Sequence, residues 1–126
     1  MPWTWLLLLL VLGCTPAPAA TRQGLASWYG VEACRFNRDP ACPTASGQSL
    51  YTLIAQGIPY AASNAYPLGT KLNVCEGDQC EEVVCLDRGP HPRLHRLIDL
   101  NPKTFHALSP LHVGLLPVTI TVVSQP

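Results

Sequence analysis

Asp87 is the residue of this sequence best placed for acid–base chemistry. It follows the apolar stretch 83–86 and opens the tetrapeptide Asp87-Arg88-Gly89-Pro90. A carboxylate at the end of a strand sits at the rim of a sheet, beside the groove its loops make. There it can take or give a proton. It can equally pair with Arg88 or anchor the turn at Gly89-Pro90. Asp99, within Leu97-Ile98-Asp99-Leu100, stands just before a helix start and is expected to be a structural hydrogen-bonding group. Of the adjacent aromatics Trp28 and Tyr29, one is expected to pack in the core and the other to reach the rim. Tyr29 is the better ligand contact.

The cysteines come next. Setting Cys14 aside leaves Cys34, Cys42, Cys75, Cys80 and Cys85, an odd number, so at least one thiol stays unpaired within the chain. Cys75 and Cys80 flank the four-residue loop Glu76-Gly77-Asp78-Gln79 and are the preferred pair. Cys34 with Cys42, closing a Pro-containing loop, is the other. Choosing two bonds among five cysteines still leaves other connectivities open. Cys85 alternates in phase with Val83 and is expected to be a buried small hydrophobe. There is no C-x-x-C pair, and His91 with His95 is a poor ligand set, so neither a metal nor a cofactor is expected.

These groups need a scaffold, and 126 residues suffice for one domain. Eight basic and eight acidic residues give a formal net charge of zero. Without a Lys/Arg cluster, nucleic acid is not an expected partner. The charged fraction is only 13% while Pro numbers 13, a balance that suits short strands and rigid turns rather than a helical bundle. The first stretch stands apart. Residues 6–12 are an unbroken apolar run, too short for a permanent membrane span, and small residues follow. Two processing routes fit. A signal peptide over 1–19 would end at Ala17-Pro18-Ala19; a lipoprotein signal over 1–13 would leave an acylated Cys14. Either implies export, secreted or periplasmic in the first case and lipid-anchored to the envelope in the second. Any membrane association would run through Cys14.

After a short link at 20–23, residues 24–30 read as an opening strand. Residues 31–47 are rich in turns, and 50–59 suit either one helical turn or an irregular loop. Residues 60–63 resemble a strand. The clearest hairpin follows, with Leu72 and Val74 alternating against Val83 and Cys85. Pairing Cys75 with Cys80 sets Leu72 opposite Val83 on one face. Residues 97–100 form another strand. Asn101 has the features of an N-cap with Pro102 at the first helical position, Pro110 stops that helix, and 118–123 is a closing β-branched strand. Five or six short strands with one short helix imply a small closed barrel.

Six motifs occur in order: 24–30 (GLASWYG), 44–47 (TASG), 67–70 (PLGT), 87–90 (DRGP), 98–100 (IDL), and Val113-Gly114 followed by Pro117-Val118. This series resembles the rare lipoprotein A (RlpA-like) family, related in fold to expansins and barwin-like proteins, over residues 24–124. The resemblance implies a mainly β fold, a six-stranded double-psi β-barrel with one or two short helices. It implies a monomeric, exported protein acting on peptidoglycan glycan strands. Several family members are lytic transglycosylases, in which one carboxyl group protonates the glycosidic oxygen and then accepts a proton from the sugar's own 6-hydroxyl. Asp87 takes that role, and Tyr29, Gln48, Ser63 and Arg88 line the substrate groove. Two departures stand out. Catalytic members carry Glu where this chain has Gln48 and His where it has Ser63, and neither replacement titrates near neutral pH. An expansin-like barrel that binds glycan without cutting it is therefore the alternative reading. An exported interaction or inhibitor domain is the third.

Overall fold

Strands form where apolar and polar residues alternate, because alternate side chains of an extended chain face opposite sides. The protein's structure, a computed structural model, describes Gly13 and residues 20–126. The expected signal peptide and the acylated Cys14 lie outside the described residues. Six strands are present: β1 (Thr21–Trp28), β2 (Tyr60–Ala62), β3 (Lys71–Glu76), β4 (Gln79–Asp87), β5 (Ile98–Leu100) and β6 (Leu116–Ser124). Two short helices, α1 (Leu50–Ala55) and α2 (Pro102–Leu108), join them, with 3-10 turns at Val31–Phe36, Pro92–Leu94 and Leu111–Val113. The ambiguous segment 50–59 thus resolves as helix then loop.

The strands close into a barrel in the order β1-β5-β2-β4-β3-β6. The pairs β1–β5 and β2–β4 are parallel, and the remaining four are antiparallel. Closure leaves no open edge. The β3–β4 hairpin has the register expected of it, Cys75 opposite Cys80 and Leu72 opposite Val83, and Cys75 and Cys80 are disulfide-bonded. β1 starts at Thr21, earlier than the apolar pattern places it, because the backbone of residues 21–23 pairs with 119–121 of β6.

Inside the barrel, Ala26, Ala61, Leu72, Val74, Val83, Cys85, Ile98, Leu100 and Ile120 are almost wholly buried. Helix α2 contributes Phe105 and Leu108 to the same core. Its start is fixed as expected: Asn101 Oδ1 accepts from the Thr104 amide at 2.9 Å, with Pro102 in the first turn. A second, smaller core lies against the barrel wall, formed by Cys34, Cys42, Leu50, Leu53 and Tyr60, with Tyr29, Ile58 and Leu86 packed on it. The Cys34–Cys42 disulfide sits within it. Cys85 is free and buried.

Candidate functional site

Asp87 reaches its position through a slip in strand register. β2 and β4 pair Tyr60 with Val84 and Ala61 with Cys85, but then Ala62 with Asp87. Leu86 is the extra residue. Such an insertion re-aims the side chain that follows it. Ala62 also stands opposite Asp99, and Asp99 opposite Ser27. One transverse row therefore runs Asp87, Ala62, Asp99, Ser27 over four adjacent strands. Ile98 and Leu100 on either side of Asp99 are in the core, so the row faces outward. With strands about 4.8 Å apart, the two aspartates are about 10 Å apart along it, with Ala62 at the position between them.

Three donors hold the Asp87 carboxylate. Oδ1 accepts from the Ala45 and Arg88 amides, both at 2.9 Å, and Oδ2 accepts from the Tyr29 hydroxyl at 3.1 Å. The Ala45 amide is delivered by the TASG loop. Within it the Thr44 amide and hydroxyl both donate to the Gln48 carbonyl at 2.8 Å. The Ser46 amide donates to Leu86 at 2.9 Å, strapping the loop to the end of β4. Cys42, two residues before the loop, is anchored by its disulfide.

Tyr29 rests edge-on against Tyr60, with ring centres 5.2 Å apart and planes at 70°. The Tyr60 hydroxyl donates to the Tyr29 carbonyl at 2.9 Å. Burial, and next the negative charge of Asp87, push the Tyr29 hydroxyl well above the usual tyrosine range, with smaller effects from Tyr60 and Asp99. Burial likewise pushes Tyr60 up to about 12, helped by Glu32. Both remain neutral donors at physiological pH. Asp99 accepts from the Ser27 hydroxyl, and Arg96 donates to Ser27 Oγ at 3.1 Å. Burial raises the Asp99 carboxyl above its ordinary value; Ser27 and Arg96 counteract this, while Asp87 adds to it.

The other expected site residues are spread out. Gln48 is exposed at the foot of the TASG loop. Ser63 is fully buried, and its hydroxyl donates to Leu97 at 2.9 Å while accepting from the Ala65 amide at 3.1 Å. Arg88 turns its guanidinium away from Asp87, donating to the Ser63 and Tyr66 carbonyls at 2.7 and 2.6 Å. It thus clamps two loops. Trp28 is half-buried and donates from its indole to Leu111 at 2.9 Å. Burial pushes the Cys85 thiol up, opposed chiefly by Arg88. Among the described residues no group of three His, Cys, Asp or Glu side chains is arranged to hold a metal. Sequence reasoning missed the Ala45 amide and the Ser27–Asp99–Arg96 chain, since neither a backbone donor nor a register slip has a side-chain signature.

No family profile and no curated protein matches the chain. Solved structures do. An expansin from Clavibacter michiganensis aligns with TM-score 0.62 and 20% identity, over 85% of this chain and 52% of the expansin. The Streptomyces papain inhibitor gives the same TM-score and identity over 85% of this chain and 98% of the inhibitor. Cerato-platanin 3 from M. perniciosa aligns at TM-score 0.54 and 13% identity, over 82% and 95%. A variant of the Clavibacter expansin, solved in complex with cellohexaose, aligns at TM-score 0.60 and 19% identity. The class is thereby defined: this is a mainly β, expansin-like double-psi β-barrel. The chain spans about half the length of the expansin it resembles. Among the described residues, no helix is long and apolar enough to cross a membrane.

Proposed function

We propose that this protein is an exported, expansin-like glycan-binding barrel of the cell envelope, and that its ligand is the peptide-free glycan strand of peptidoglycan. One observation carries the reading: both oxygens of Asp87 are already occupied by donors, from Ala45, Arg88 and Tyr29. A carboxylate so engaged orders its loops and presents a fixed negative edge to sugar hydroxyls. Gln48, exposed at the foot of the loop that delivers the Ala45 amide, offers an amide that both donates and accepts. The expansin neighbour bound to cellohexaose supports an oligosaccharide as the class of ligand. The motif series supports peptidoglycan, and the leader supports export.

A second reading, lytic transglycosylase activity, draws on Asp99 rather than on Asp87 alone. Its carboxyl is raised by burial and by Asp87, the direction a general acid requires. The experiment is to incubate the purified protein with peptide-free glycan strands, measure binding, and search the products for 1,6-anhydro ends by mass spectrometry. Binding without new ends, weakened by Asp87→Asn, is the expected result. Anhydro-ended fragments that vanish in Asp87→Asn or Asp99→Asn would establish the enzyme instead. Neither binding nor cleavage would remove both readings and leave an interaction or inhibitor domain.

A further inference from the structure

A groove of about 780 Å³ is lined by none of the four residues of the Asp87 row. It lies between α2, the turn Val31–Phe36, the loop after α1 and the first half of β4. Its apolar surface comes from Trp28, Ile58 and Leu111, with Val31 and Ile54 at its edge left 46% and 43% exposed. Asp87, Asp99, Gln48 and Ser63 take no part in it. Tyr60 is the shared wall: it lines the groove and supports Tyr29 on the other side.

Charge distinguishes this groove from a plain apolar cleft. Glu32 stands on one wall, and Glu81 and Glu82 on another, against the single cation Lys103. None of the four charged side chains forms an ion pair among the described residues. The protein as a whole has a formal net charge of zero, so this excess of negative charge is local.

We propose that the groove is a docking site for an extended peptide segment of a protein partner, with an apolar side chain entering between basic residues. Three features argue for that occupant. The volume falls within the roughly 300–1,000 Å³ of ligand-sized pockets, enough for a few residues but not for a domain. The apolar floor gains by covering exposed Val31 and Ile54. Carboxylates from two separate elements, Glu32 of the turn Val31–Phe36 and Glu81 and Glu82 of β4, complement cations flanking the apolar residue. A peptidoglycan strand is the wrong ligand here, because the lactyl carboxylates of muramic acid would meet Glu32, Glu81 and Glu82 as like charges.

The test uses the purified protein and a blocked synthetic peptide, Lys-Leu-Leu-Leu-Lys, beside its counterpart with Glu for both Lys. Amide NMR and calorimetry read site and affinity. The expected result is binding of the basic peptide at least about tenfold tighter than the acidic one, weakened by added salt. Its shift changes should cluster at residues 30–32, 57–60 and 101–107. The double variant Glu32→Gln, Glu82→Gln, at two exposed positions, should lose the basic peptide by about tenfold or more while its glycan-strand binding is unchanged. Equal binding of both peptides, shifts centred on the Asp87 loops, or no binding at millimolar peptide would each overturn the proposal. Shift changes in the groove on adding glycan strands would overturn it too, assigning the groove to polysaccharide. The peptide assay does not depend on the glycan reading, so the two can fail separately.

Discussion

Asp87 and Asp99 share a row yet sit in different surroundings, and that difference can be measured. Asp87 has three donors. Asp99 relies on Ser27 and Arg96 and is raised above its ordinary 3.8, first by burial. A carboxyl raised in the folded state is neutral there over a range in which the unfolded chain has already ionised. The folded state therefore binds more protons in that window, and stability is lost as pH rises from about 3.9 through the folded value. Asp99→Asn has no proton to lose, so its urea midpoint should fall less steeply over the same window; an unchanged slope would refute the assignment. Tyr29→Phe is the complementary variant. It removes one of three donors to Asp87 while keeping the ring on Tyr60, and should cost about 1 kcal/mol of stability. Glycan affinity should drop several-fold, read by calorimetry. At this scale the sequence identified Asp87 and Tyr29 as separate candidates, and their hydrogen bond emerged only in the structure. The sequence could not show that Ser63 faces inward or that Arg88 points at carbonyls, because both depend on which way a loop turns.

The two disulfides are alike in chemistry and differ in what they hold. Each closes a short loop, with sequence separations of 8 and 5, so removing either should cost about 2 kcal/mol by loop-closure entropy. Their effects on the site should diverge. Cys75–Cys80 ties off a hairpin whose register is also fixed by Leu72, Val74 and Val83 in the core. Cys34–Cys42 lies under the loop that delivers the Ala45 amide to Asp87. Replacing Cys34 and Cys42 by Ser should therefore reduce glycan binding beyond its effect on melting temperature, while Cys75 and Cys80 replacement should lower melting temperature alone. Equal effects on binding would show that the TASG loop holds its shape unaided. The hairpin was legible because a period of two, a turn and a cysteine pair all coincide within residues 71–85. The slip at Leu86 was not, since its partner strand β2 lies more than twenty residues upstream and pairs in parallel.

For the whole molecule, local pattern supplied five or six strands and a closed barrel, while the resemblance supplied six strands in a double-psi arrangement. Alternation says which residues face inward, but the parallel pairs β1–β5 and β2–β4 join strands far apart in sequence, and no local period encodes that. Closure has a consequence for behaviour in alkali. The excursion between β1 and β2 folds back on the wall and encloses Tyr29 and Tyr60, while Tyr66 packs against the barrel core. Burial is the leading cause of a raised pKa at all three, reaching about 12 at Tyr60. In the unfolded chain each would ionise near 10. The folded state thus binds more protons above that pH, and its stability is lost as pH rises from about 10 toward 12 and beyond. Burial of these rings should give the barrel an alkaline limb in which tyrosinate formation and unfolding are coupled. Absorbance of tyrosinate and far-ultraviolet ellipticity, followed together in an alkaline titration, should share a main transition. Tyr29→Phe should move that transition to higher pH relative to the variant's own neutral-pH stability, because one coupled proton has been removed. If the ionisation of three tyrosines were complete before ellipticity changed, the rings would be open to solvent and the packing of the excursion against the barrel would have to be rejected.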